Sequence, residues 1–149
     1  MTHGSQVNIR PIRPEDAVPV SELVTQLGYE RTADQVRLWV ADLHARPEQA
    51  AFVAELDGKV VAWIDVSFVW HLQSEAFGLI GGLVVKDGLR SAGIGRLLCE
   101  RAEDWSRDQG ARKIRVTSRS TREAAHRFYL RDGYQQTKIS MVFEKPLDH

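Results

Sequence analysis

The sequence predicts an α+β fold in which helices flank a mixed, mostly antiparallel central sheet. Helical and strand periodicities follow one another in the order β-α-α-β-β-β-α-β-α-β. Two helices come early, a hairpin region fills the middle, and helix and strand alternate in the second half. The 149 residues suit one domain with a buried core. We therefore expect a single domain over residues 1–149, with an ordered core from about residue 7 to residue 145.

A short strand and two helices are predicted in the first part of the chain. The strand is Val7–Pro11. Pro14 opens the first helix, because proline suits the first helical turn, and Gly28 ends it. Thr32 and Gln35 form a capping box that begins the second helix.

A β region follows, and its middle strand has two different faces. Asp57-Gly58 is a tight turn between strand Ala51–Glu55 and the strand that begins at Lys59. Side chains alternate along a strand, so the even-numbered residues of this second strand form an apolar face. The odd-numbered face carries Trp63, Asp65, Ser67 and His71.

The second half begins with a glycine-containing strand and then alternates helix and strand. Strand Phe77–Val85 holds Gly78, Gly81 and Gly82, and interior glycines often mark a bulge or a closely approaching ligand. The predicted elements after it are a helix from about Ile94 to Gly110, strand Lys113–Thr117, a helix that begins with a capping box of Ser120 and Glu123 and closes at Gly133, and strand Thr137–Phe143.

The composition excludes several classes of function. Twenty basic residues balance twenty acidic ones, so we expect neither a nucleic-acid partner nor an anionic membrane partner. Cys99 is the only cysteine, which rules out an internal disulfide and an all-cysteine metal site, and we expect no metal. No segment approaches the ~20 apolar residues that span a bilayer, and the start of the chain lacks an apolar leader. A cytoplasmic location is therefore expected.

The loop Arg90-Ser91-Ala92-Gly93-Ile94-Gly95-Arg96 is the most informative segment. A helix begins at its end, where free amides and the helix dipole favour an anion such as pyrophosphate. The glycines allow close approach of the backbone, and Arg90 and Arg96 add charge. A glycine-rich connection that binds nothing is the alternative. Because no Lys-Ser or Lys-Thr pair follows and position 98 is Leu98, the P-loop and dinucleotide fingerprints both fail.

Two spaced motifs resemble those of the GNAT superfamily of N-acetyltransferases. The first is Arg-x-x-Gly-Ile-Gly after Leu83-Val84-Val85, and the second is Ala125-His126-Arg127-Phe128-Tyr129 followed by Asp132-Gly133-Tyr134. The resemblance implies a GNAT-like acyl-CoA N-acyltransferase fold. It implies that an acetyl group passes from acetyl-CoA to a primary amine of a small molecule or peptide by direct attack. The alternative is a non-catalytic acyl-CoA-binding or sensor module of the same fold.

The resemblance also implies roles for individual residues. Amides of residues 91–96 would hold the pyrophosphate, and the backbone of Leu83-Val84-Val85 would pair with the pantetheine arm where this strand splays from the next. Tyr129 corresponds to the family tyrosine that faces the sulfur, and its phenol, with an ordinary pKa near 10, would protonate the leaving thiolate. His126 would contact the cofactor or cap the helix surface.

The general base is the open question, because Gly81 stands where many GNAT relatives carry glutamate. Glu75 lies six residues away, about 20 Å along a strand at ~3.3 Å per residue. The predicted hairpin brings residue 64 or 65 opposite Gly81, and the register decides which faces the cleft. Asp65 is therefore our candidate base, although a solvent-facing polar residue fits equally well; His71 and a water chain remain alternatives.

The acceptor side and the assembly are the least specified. Trp63, Trp70 and the first two helices are expected to shape the acceptor cleft, and aromatic walls would suit a small amine. Exposed strand edges make a homodimer a further expectation.

Overall fold

A computed structural model describes residues 6–89, 92–118 and 122–147 of the chain. Its contacts divide the chain into two compact units, one ending at Thr117 and one beginning at Ser118. The first unit contains β1 (Val7–Pro11), a 3-10 turn (Pro14–Asp16), α1 (Ala17–Leu27), α2 (Ala33–Leu43), β2 (Gln49–Leu56), β3 (Lys59–Val69), β4 (Phe77–Val85), α3 (Ile94–Asp108) and β5 (Lys113–Val116). The second contains α4 (Glu123–Arg131).

Pro14 opens a 3-10 turn and α1 begins only at Ala17, whereas three other predicted signals act where they were expected. Gly28 ends α1 in the left-handed conformation with φ 117°. The Thr32 hydroxyl accepts from the Gln35 amide at 3.1 Å, and the Gln35 side chain accepts from the Thr32 amide at 2.8 Å. Asp57 and Gly58 both have positive φ, as the tight turn between β2 and β3 requires.

The first unit contains a five-stranded sheet in the order β1-β2-β3-β4-β5. The first three pairings are antiparallel and β4 pairs with β5 in parallel, which confirms the mixed, mostly antiparallel sheet. The β4–β5 ladder runs from Phe77 opposite Lys113 to Ile80 opposite Val116. Within the described residues, Gly81–Val85 therefore continues past the end of β5, and no strand pairs with its outer edge.

Helices cover both faces of the sheet. On one face, α1 and α2 form an apolar core with the sheet, to which Val20, Val40, Val53, Trp63 and Val84 contribute. On the other face lies α3, whose Arg101 guanidinium stands 4.8 Å above the Phe52 ring. Adjacent strand residues point to opposite faces, so Phe52 faces α3 while Val53 faces α1 and α2. On β3, Trp63 and, before the register shift near Val61, Val60 lie on the α1 and α2 side, so the even-numbered apolar face predicted from Val60 onward is interrupted there.

The predicted strand Thr137–Phe143 is wrong for the described chain. Residues 135–147 contain no helix or strand, and Ile139, Met141 and Phe143 are all exposed. A strand needs a neighbouring strand to bond its amides and carbonyls. Alternating apolar residues give a segment one apolar face, but they do not provide that neighbour. The second predicted capping box includes Ser120, which lies outside the described residues. Across the described ranges, we find no helix that could cross a membrane.

Candidate active site

A bulge at Gly81 shapes the middle of the sheet. Asp65 of β3 lies opposite Gly82, whereas the next residue, Val66, lies opposite Ile80. Gly81 is therefore an extra residue in β4, and it reverses the alternation of side-chain direction that follows it. A Cβ on Gly81 would meet Asp65, and a Cβ on Gly82 would lie 2.7–2.8 Å from the Trp63 ring. Both glycines thus face the α1 and α2 side.

The Asp65 carboxyl group occupies the space that a side chain at position 81 would fill. Its Oδ1 accepts a hydrogen bond from the Gly82 amide at 2.9 Å. Burial raises the pKa of Asp65 from 3.8 to about 6, and hydrogen bonds from the Gly82 and Gly81 amides partly oppose that rise. Such a carboxylate is mostly ionised at neutral pH, yet it binds a proton more tightly than an ordinary aspartate.

The register therefore answers the question that the sequence left open between residues 64 and 65. Ile64 points to the α3 side and is fully buried. Asp65 points to the α1 and α2 side, is half-buried and accepts a hydrogen bond at the bulge, and its role as the base stays a prediction. His71 lies beyond the end of β3, and its ring contacts the Phe77 ring edge to face at 6.1 Å.

Replacing Gly81 with alanine tests how closely β3 and β4 pack at the bulge. The added Cβ would collide with the Asp65 carboxyl group, whose Cγ would lie 3.2 Å away. We expect Gly81→Ala to lower the free energy of unfolding by about 1–3 kcal/mol, measured by urea denaturation. In an Asp65→Ala background the same change should lower it by less than about 0.5 kcal/mol. Equal losses of unfolding free energy in both backgrounds would show that the contact between position 81 and Asp65 does not affect stability.

Trp63 forms an aromatic wall beside Asp65 on the same face of β3. Its ring packs on Gly82 and meets the Trp39 ring of α2 edge to face, with centroids 6.4 Å apart. Trp63 is 8% exposed and Trp39 is 37% exposed. Among the described residues, the buried Trp63 Nε1 has no hydrogen-bond partner. Trp70, also expected to shape the acceptor cleft, is 77% exposed at the end of β3.

The outer edge of β4 presents backbone groups at alternate residues. The Lys86 amide donates to the Val61 carbonyl on β3 at 2.8 Å. In an antiparallel ladder successive residues point their amide and carbonyl groups in opposite directions, so Leu83 and Val85 direct theirs away from β3. The side chain of Val84 packs in the core below α1 and α2. Leu83 and Val85 are the residues expected from the family resemblance to pair with a pantetheine arm.

The start of α3 has the geometry of an anion site. Gly93 is the N-cap with φ 81°, and a Cβ there would meet nothing within 4 Å. The Leu97 amide donates to the Gly93 carbonyl at 3.2 Å, so the amides of Ile94, Gly95 and Arg96 precede the first helical bond and point beyond the helix end. Ala92 leads into this turn.

Of the two arginines predicted to add charge to this loop, the structure describes only Arg96. The Arg96 side chain is 70% exposed and lies 3.6 Å from the Glu100 carboxylate, a surface pair that contributes little to stability. It lies exposed in the first turn of α3, and its contact with a pyrophosphate stays a prediction. Arg90 and Ser91 lie outside the described residues.

In the second unit, Tyr129 belongs to a group of three aromatic rings. Its ring lies 5.1 Å from Phe128 and 5.6 Å from Tyr134, measured between centroids. Gly133, with φ 91°, turns the chain after α4, and the Tyr134 amide donates to the Tyr129 carbonyl at 2.9 Å. This turn explains the Gly-Tyr spacing of the motif. His126 lies on α4 three residues before Tyr129.

Comparisons with known proteins agree with the fold described above. The sequence profile of the Acetyltransferase (GNAT) family matches residues 18–134. An aminoglycoside N(6')-acetyltransferase type 1 from Stenotrophomonas maltophilia is 29% identical over 150 residues, covering 97% of each chain. An aminoalkylphosphonate N-acetyltransferase from Salmonella typhimurium is 38% identical over 82 residues, covering 54% of this chain and 53% of the relative. The structure of aminoglycoside N-acetyltransferase AAC(6')-Iy with CoA superposes with a TM-score of 0.87 at 18% identity, covering 97% of this chain and 98% of that one.

The chain belongs to the GNAT family of acetyltransferases. It is accordingly an acetyl-CoA-dependent N-acetyltransferase, which confirms the activity expected from the two motifs. The non-catalytic sensor module is not the supported reading. Among the described residues, no group of histidine, cysteine and acidic side chains could hold a metal.

Sequence reasoning missed one residue near the predicted cofactor edge. Gln26 of α1 bonds to the backbone at the end of β4, across 59 and 61 positions of sequence. A glutamine in a helix has no local pattern that points to such a contact. Only the packing of α1 on β4 shows it.

Proposed function

We propose that the chain acetylates the amine of a small, cationic molecule and that Asp65 removes the proton from that amine. The main support for this proposal is the Asp65 carboxyl group. It lies in the bulge, where a side chain at position 81 would otherwise lie. The names of the aminoglycoside and aminoalkylphosphonate relatives support a small-molecule acceptor over a peptide. A carboxylate beside the Trp63 indole suits a protonated amine, which both groups attract.

The residues of the first unit fit an acetyl-CoA donor. The outward backbone groups of Leu83 and the Val85 amide would pair with the pantetheine arm as an added strand does. The helix-end amides of Ile94, Gly95 and Arg96 would receive the pyrophosphate. The open space above Gly93 allows the phosphates to approach the backbone closely. Ala92, Arg90, Ser91 and His126 complete the proposed cofactor contacts.

The proposed transfer forms the carbon–nitrogen bond of the amide and breaks the carbon–sulfur bond of the thioester. Asp65 takes a proton from the ammonium group, and the neutral nitrogen then attacks the thioester carbonyl carbon. An amide on the outer edge of β4 would stabilise the charge that develops on the carbonyl oxygen. The carbon–sulfur bond breaks, and Tyr129 donates its phenolic proton to the departing sulfur. The nitrogen loses its second proton in the same step, and a proton taken up from solvent restores the Tyr129 phenol, so that the products are a neutral amide and a free thiol.

A panel of amines tests the proposed function. Release of free thiol from acetyl-CoA should be stimulated by an aminoglycoside, an aminoalkylphosphonate or a polyamine, and more strongly than by a lysine-containing peptide. Preference for the peptide would overturn the assignment of a small acceptor. No turnover, together with a melting temperature raised by acetyl-CoA, would instead indicate a binding module.

Three expectations from the sequence remain predictions. These are the cytoplasmic location, the single domain over residues 1–149 and the homodimer. The exposed apolar residues between Ile139 and Phe143 add support for self-association, because exposed apolar patches often mark interfaces.

A further inference from the structure

Gln26 connects the last turn of α1 to the end of β4. Its Nε2 donates to the Val85 carbonyl at 2.9 Å, and its Oε1 accepts from the Asp87 amide at 3.2 Å. The carboxamide thus contacts two backbone groups that flank Lys86. The side chain of the neighbouring Leu27 lies near Gly82, so this turn of α1 lies beside the C-terminal half of β4.

These hydrogen bonds lie between the edge of β4 that is predicted to pair with pantetheine and the following loop, which is predicted to bind the pyrophosphate. The Val85 carbonyl points to the outer edge of β4, and Gln26 already satisfies it. Asp87 begins the connection that continues through Gly88, with φ 91°, to the N-cap of α3 at Gly93. A side-chain amide at this point substitutes for a strand neighbour at the Val85 carbonyl.

We infer that Gln26 is a positioning residue for the donor. It holds the exit of β4 from Val85 to Asp87 in place for the donor, on the approach to the helix end proposed to bind the pyrophosphate, and it limits pantetheine pairing to Leu83 and the Val85 amide. The inference rests on the proposed binding of acetyl-CoA along this edge. A backbone segment already held in place lowers the ordering free energy that the donor must otherwise supply on binding.

Comparing two donors separates this role from general stability. Gln26→Met keeps the length of the side chain and removes both hydrogen bonds. We expect its KM for acetyl-CoA to rise about tenfold, which corresponds to about 1.4 kcal/mol. With acetyl-pantetheine, which lacks the nucleotide and pyrophosphate, kcat/KM should change by less than about twofold. The kcat with saturating acetyl-CoA should be unchanged.

Gln35→Met is the matched control, because it removes a glutamine-to-backbone bond from the α2 cap, far along the chain from this loop. Its KM for acetyl-CoA should equal that of the wild type, and the melting temperatures of both variants should be compared. Binding of CoA by calorimetry provides the second readout. Equal CoA affinity in wild type and Gln26→Met, or equal losses with both donors, overturns the role of Gln26 while the proposed function stands. Failure of the wild type to bind CoA overturns both.

Discussion

Asp65→Asn should lower kcat/KM about 100- to 1,000-fold and also make the protein more stable at pH 8. The loss of activity follows because an amide cannot accept the amine proton, and general base catalysis typically contributes 10²–10⁴ in rate. Asparagine keeps the size of the side chain and can still accept from the Gly82 amide. Its melting temperature at pH 8 should be about 3–8 °C higher than that of the wild type.

The direction of the stability change follows from the pKa. The folded protein holds the Asp65 proton with a pKa of about 6, above the ordinary value of 3.8. Between these values the native state binds more protons than the unfolded state, so the free energy of unfolding falls as the pH rises. Above pH 6 the ionised carboxylate costs about 1–3 kcal/mol, after allowance for its partial exposure. Asparagine removes that cost.

Three measurements check the prediction together. The wild-type kcat/KM should rise with pH along a limb with an apparent pKa of about 6, and that limb should be lost in Asp65→Asn. Thermal unfolding of the two proteins should converge near pH 4, where Asp65 is protonated. A variant with wild-type turnover, or with an unchanged pH limb, would assign the base elsewhere and favour His71 or a water chain.

Tyr129→Phe should reduce kcat about 100-fold and leave CoA affinity within about threefold of the wild type. The change removes only the phenolic proton that we propose is donated to the sulfur, and the ring can keep its contacts with Phe128 and Tyr134. Since the lost interaction forms as the carbon–sulfur bond breaks, the effect belongs to kcat and not to binding.

Tyr134→Phe is the control for this experiment. Tyr134 lies in the same aromatic group, 5.6 Å from Tyr129, so a purely structural effect of losing a hydroxyl should be similar in both variants. We expect Tyr134→Phe to keep kcat within about threefold. A donor with a more acidic thiol should rescue Tyr129→Phe, because its thiolate leaves without a proton. Equal losses in the two variants, without such rescue, would assign Tyr129 to packing.

Local signals in the sequence were sufficient for most of the fold. The capping box of Thr32 and Gln35, the turn at Asp57-Gly58 and the strand Phe77–Val85 all lie where their residues predict them. Each depends on interactions within a few positions, which a single sequence contains. The strand Thr137–Phe143 depended on a distant partner for its backbone groups, and it was predicted wrongly for that reason.

The candidate site was harder to predict, because it depends on register. Three glycines predicted a bulge or close approach, but not that Gly81 is the extra residue. The bulge reverses side-chain parity, so counting along β4 alone would misplace every residue beyond it. Gln26 gave no signal, since its partners lie 59 and 61 positions away. The start of α3 at Ile94 was easier to predict, because a helix end is a local feature.

The bulge lets two neighbouring strands reach one point in space. A carboxyl group can arrive there from position 81, where many GNAT relatives carry glutamate, or from Asp65, as in this chain. Glycine at one position makes room for an acid at the other. Under the proposed mechanism, a search for the base at position 81 alone would therefore overlook Asp65.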